Sequence, residues 1–139
     1  MNIQIIKTFI IAYSLVQLIF VYFFNLPALI TGANDLIIEY YYKNGLFNYF
    51  LDLIIYAVYI SIAYFIIKLF KIINFKLLIV ILTTIFLSTF FMIYFTSYPK
   101  NKSFFSRWFH KTRFKSVFYD TIIISITYLV YNYLYNYIN

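Results

Sequence analysis

Two carboxylates interrupt long apolar runs, and they are the residues in this chain best placed to do chemistry. Asp52 and Asp120 are each the fourth residue of such a run. A charged side chain at the centre of a membrane helix costs about 2.5–3.5 kcal/mol on insertion scales, so such a residue marks a site or finds compensation. With His110, the chain's one histidine, the pair has the groups for a proton relay, an ion site or acid and base catalysis. Arg107 and His110 precede Asp120, and Thr89 lies toward the end of a neighbouring run, so Asp52, Asp120, Arg107, His110 and Thr89 are expected as one polar cluster. The plainer expectation is that each aspartate lies near a helix N-terminus, where the helix dipole favours it, and pairs with a loop cation. Ser106, four residues before His110, shares its helical face, but no oxyanion-hole motif accompanies the two, so no catalytic residue is assigned. With no cysteine and one histidine, neither a metal site nor a cofactor is expected.

The elements that position these residues follow from composition. Of the 139 residues, 65% are hydrophobic and 11% charged, and mean hydropathy is +0.86, outside the balance of a water-soluble domain. Four runs, at residues 8–24, 49–67, 77–95 and 117–135, rise about 26–29 Å as helices at about 1.5 Å per residue, close to the hydrocarbon thickness of about 30 Å. They lack the alternation of a membrane barrel strand, so the fold class is all-α, a single membrane domain of four bundled helices. The first run is read as a retained span, since no small-residue cleavage site follows Phe24.

Two loop segments are expected to lie on the membrane surface, at residues 35–43 and 104–115. In the first, Asn34 is set to cap a helix that stops at Asn44-Gly45, with Gly45 left-handed, and Asp35, Glu39 and Lys43 share one face. Ahead of it, residues 26–32 read as a turn or partly buried loop. In the second segment, Phe104, Phe105, Trp108 and Phe109 recur at helical spacing among cations. The rings should enter the lipid while Lys111, Arg113 and Lys115 reach anionic headgroups. The same mixture suits single-stranded nucleic acid, which is set aside because a span begins directly afterwards. Small residues at four-residue spacing predict a helix-packing seam, Ala57 opposite Ser88 and Ser61 opposite Thr84.

Lysine and arginine set the orientation. Lys7, Lys68, Lys71 and Lys76 lie on the side of the termini, four in all. Lys43, Lys100, Lys102, Arg107, Lys111, Arg113 and Lys115, seven in all, lie on the side of the first and third loops. The positive-inside rule makes those loops cytoplasmic and both termini outside or lumenal. The sequon Asn101-Lys102-Ser103 would carry a glycan only in the opposite orientation.

At Pro27-Ala28-Leu29, Thr31-Gly32, Leu51-Asp52, Thr83-Thr84, Phe104-Phe105-Ser106-Arg107-Trp108-Phe109-His110 and Tyr119-Asp120, the chain resembles small multi-spanning membrane proteins of large eukaryotic DNA viruses. The resemblance implies a viral or host-derived membrane and brings no activity with it. The leading expectation is a non-enzymatic integral membrane protein, with a structural or assembly role, whose basic, aromatic loop face meets lipid headgroups or a protein partner. A small oligomeric channel or ion conductor built on Asp52 and Asp120 is the alternative, and an intramembrane enzyme the third.

Overall fold

A computed structural model describes residues 3–138. The fold is all-α, with no strand among the described residues, and four of its helices are long and apolar enough to cross a bilayer. Helix α1 (Ile3–Val16) continues as a π-helical stretch, Gln17–Phe23, to complete the first of them. The others are α4 (Gly45–Leu69), α5 (Lys76–Ser97) and α7 (Phe114–Ile138). At about 1.5 Å per residue the shortest of the four is about 31 Å long, enough for the hydrocarbon layer. These are the features of a multi-pass helical membrane protein.

Helix α7 is the axis of the bundle: it packs along both α5 and α1, while α4 leans on α5 and meets α7 sparsely. Near the short turn between α4 and α5, Tyr64 closes that gap, donating to the Asn132 side chain at 3.0 Å with its ring against Tyr128. Ala63, fully buried on the same stretch, offers little bulk to hold the helices apart. On the other side, α1 is latched to α4: the Tyr13 hydroxyl donates to the Tyr49 carbonyl at 2.9 Å, and Gln17 donates to the Tyr56 hydroxyl at 3.4 Å. Buried polar groups with partners of this kind cost little, and without them they would oppose folding in lipid.

The first and third loops are helical and packed together. Residues 26–32 are not the expected turn but helix α2 (Leu26–Thr31), with proline in its first turn and Gly32 left-handed at its end. That is the proline-first, glycine-last pattern of a short helix. Helix α3 (Asn34–Ile37) runs into a second π-helical stretch, Ile38–Lys43. Asn34 lies inside the helix instead of capping it, and Gly45 is the first residue of α4, without a positive φ. The third loop contains α6 (Phe104–Thr112), capped by the Ser103 side chain, which accepts from the Ser106 amide at 3.3 Å. The segment 104–115 is not continuous: Arg113, at φ +47°, breaks it, and α7 begins at the next residue.

Along the expected α4–α5 seam the two sides differ in burial: Ser61 is exposed and Ala57 half-buried on α4. Thr84 and Ser88 are buried, Thr84 bonded back to the Val80 carbonyl at 2.8 Å and Ser88 donating to Asp120 on α7. The stronger draw on Ser88 is the carboxylate across the bundle, since a hydroxyl in an apolar interior goes to the best acceptor within reach.

Candidate functional site

Asp52 and Asp120 line one cavity. The helices carrying them start earlier than their apolar runs, so Asp52 is the eighth residue of α4 and Asp120 the seventh of α7. Both therefore lie about 9–10 Å along their helices, deeper than the sequence alone suggests. The cavity has a volume of about 450 Å³, within the range of about 300–1,000 Å³ usual for small-molecule sites. Helix α4 supplies Asp52, Tyr56 and Tyr59 at successive helical turns, so one face of that helix carries the acid and two phenols. Helix α7 adds Tyr119 and Asp120, and the π-helical stretch of the first loop adds Tyr40 and Tyr41.

Each carboxylate is held by one hydroxyl. Tyr40 donates to Asp52 Oδ1 at 2.6 Å, and Ser88 donates to Asp120 Oδ2. Burial raises the Tyr40 hydroxyl well above the usual phenol range, and the nearby Asp52 carboxylate pushes it the same way, so Tyr40 stays a donor. Beside them the Tyr41 and Tyr119 hydroxyls meet at 3.0 Å, fastening the first loop to α7.

The roof of the cavity is α6. Its rings turn inward, against the expectation that they enter lipid: Trp108 and Phe109 belong to the buried core, and Phe104 and Phe105 pack against it. Phe104 stacks on Tyr40 at 4.6 Å, and Phe95 of α5 is stacked between Phe105 at 5.9 Å and Phe109 at 5.5 Å. The reason is proximity: α5 and the π-helical stretch of the first loop offer α6 an apolar surface inside the protein, and matched aromatic faces gain about 0.5–1.5 kcal/mol beyond area burial. Lys111, Arg113 and Lys115 are exposed on the outer side.

Two ion pairs strap the roof to the first loop. Arg107 grips Glu39 with both terminal nitrogens, at 2.7 and 2.5 Å, and Lys111 reaches Asp35 at 2.5 Å. As one helix rises in number the other falls, so the segments run antiparallel with matching four-residue steps. The Arg107 guanidinium holds the Glu39 carboxyl below its ordinary range, and Lys111 does the same to Asp35.

The expected five-residue cluster thus divides. Asp52 and Asp120 share the cavity, but Arg107 is spent on Glu39, and the His110 ring meets the Ser106 carbonyl at 2.8 Å. Thr89 is half-buried and does not line the cavity. The Ser106 hydroxyl accepts from the Asn101 amide at 3.1 Å, so no Ser/His pair forms. Neither aspartate has a cationic partner among the described residues, contrary to the expected pairing with a loop cation. Among those residues there is also no group of three or more His, Cys, Asp or Glu side chains able to hold a metal.

Sequence reading missed the tyrosines. Their signal was the spacing of Tyr56 and Tyr59 from Asp52, four and seven residues on, and the adjacency of Tyr119 to Asp120. No family model, curated protein or solved structure matches the chain. Its chemistry is therefore read from the cavity alone.

Proposed function

We propose that this integral membrane protein is a non-enzymatic binder that admits an apolar molecule from the bilayer into the cavity between α4, α5, α6 and α7. The observation that carries this is the cavity's side wall. It is made by Ile54, Val58 and Ile62 of α4 and by Leu87, Phe91 and Phe95 of α5, and four of these, Ile54, Val58, Ile62 and Phe91, are exposed on the lipid-facing belt. A cavity whose mouth lies among exposed apolar residues in the middle of two spans opens sideways, toward acyl chains and not toward water. The exposed cations Lys100, Lys102, Arg113 and Lys115 support a second contact, with anionic headgroups at the loop end of the bundle.

Trp108, the chain's one tryptophan, lines the cavity and reports on it. In nanodiscs, a bromine-tagged fatty alcohol should quench its emission saturably, and Leu87→Phe, which adds bulk to the wall, should weaken that quenching. Quenching that rises only linearly with the alcohol's share of the bilayer would overturn the reading. So would proton or ion flux into liposomes that Asp52→Asn abolishes, which would instead favour a conductor.

A further inference from the structure

Resting on the cavity reading, we infer that the molecule admitted is a single-chain quaternary ammonium amphiphile. Its cation would be held between Asp52 and Asp120 within a cage of tyrosine rings, and its chain would leave through the α4–α5 side wall.

The first ground is a missing countercharge. The chain has four acidic side chains, and the structure sorts them in two ways. Asp35 and Glu39, outside the spans, each have a cation in contact. Asp52 and Asp120, inside the spans, have between them, among the described residues, one phenol and one serine hydroxyl. Hydrogen bonds soften a carboxylate's burial but do not neutralise it; such a group otherwise escapes the cost of its charge by taking up a proton, and a bound cation is what keeps the pair ionised. Of the loop cations, Arg107 and Lys111 are tied to the loop acids, and Lys100, Lys102, Arg113 and Lys115 are exposed on the outer side. A positively charged occupant supplies the lacking partner.

The second ground is independent of charge. Tyr40, Tyr56, Tyr59 and Tyr119 line the cavity together with the indole of Trp108. Electron-rich faces around a site are how proteins recognise quaternary ammonium groups, which have no N–H to donate and gain from ring quadrupoles. A bare metal ion would want a closed shell of oxygen ligands, and two carboxylates among rings do not offer one. A fatty acid or phosphate-bearing lipid would set its anion against the aspartates. A neutral chain would fill the side wall and leave the carboxylates as they were. The remaining chemistry is a cation with an apolar tail, and the cavity's lateral mouth admits a tail directly from the membrane.

The test uses the same Trp108 quenching, with three untagged twelve-carbon competitors in nanodiscs of zwitterionic lipid: dodecyltrimethylammonium, dodecanol and dodecanoate, each dosed by its share of the bilayer. Dodecyltrimethylammonium should restore Trp108 emission at about one tenth of the dose dodecanol needs or less, with dodecanoate weakest. In the Asp52→Asn/Asp120→Asn double variant the cation should lose its advantage over the alcohol. Equal potency of cation and alcohol in the unaltered protein overturns the inference while leaving the cavity reading intact. So does a cation preference that survives the double variant. Failure of all three chains to displace the tagged alcohol overturns both. The comparison in the unaltered protein decides the matter even where the double variant does not fold.

Discussion

A phenol that donates to a buried carboxylate is worth more to the fold than its own hydrogen bond, because removing it strands the acceptor. Tyr40 is such a donor to Asp52, while Tyr42, two residues on, is largely exposed. Tyr40→Phe should therefore lower stability by about 1–3 kcal/mol, and Tyr42→Phe should change it by less than about 0.5 kcal/mol. Unfolding of the two variants in the same detergent checks this, and equal stabilities would show that the Tyr40 hydroxyl is not needed by Asp52. At this scale the sequence was half legible. The two aspartates announced themselves by interrupting apolar runs. Tyr40 and Ser88 did not, because tyrosine abounds in this chain and any of its 17 copies can face lipid or core without a change in local pattern.

Pairs of helices explain what single residues do not. The first-loop helix and α6 were each legible as amphipathic, with acids four residues apart on one and cations four apart on the other. What could not be read is that each would face the other instead of the bilayer, since an apolar ring gains as much from a protein groove as from lipid. The strap can be tested by charge exchange. Arg107→Glu alone should lower stability only modestly, as expected for a pair about one third exposed, and Glu39→Arg added to it should recover most of the loss. Acid should act on the same contact. Ion pairing lowers the carboxyls of Glu39 and Asp35 in the folded protein relative to the unfolded chain. Their contribution is thus complete above the unfolded values, about 4.3 and 3.9, and is lost as the pH falls through the lowered folded values. Release of α6 from the first loop below about pH 4, followed by Trp108 emission, checks the sign; a strap that loosened on raising the pH would contradict it.

At the scale of the whole molecule, the four-helix, all-α architecture was open to reading because hydropathy and length decide it. The central place of α7 was not, because helix neighbours in lipid are chosen by side-chain fit and not by apolarity. Orientation belongs to this scale too. The excess of Lys and Arg on the first and third loops predicts that Asn101, exposed and with its side chain accepting from the Ser103 amide at 2.8 Å, stays unglycosylated in a microsomal membrane. A sequon placed at the C-terminus should take a glycan there; a glycan on Asn101 would invert the topology. The antiparallel strap has a further consequence for how this chain can diverge. Glu39 cannot become basic without leaving Arg107 facing its own kind, and Asp35 stands in the same relation to Lys111, so positions 35, 39, 107 and 111 form a small heritable unit. Sign reversals should pass through them in matched pairs, a constraint that the cations at 100, 102 and 115, which oppose no acid, do not share.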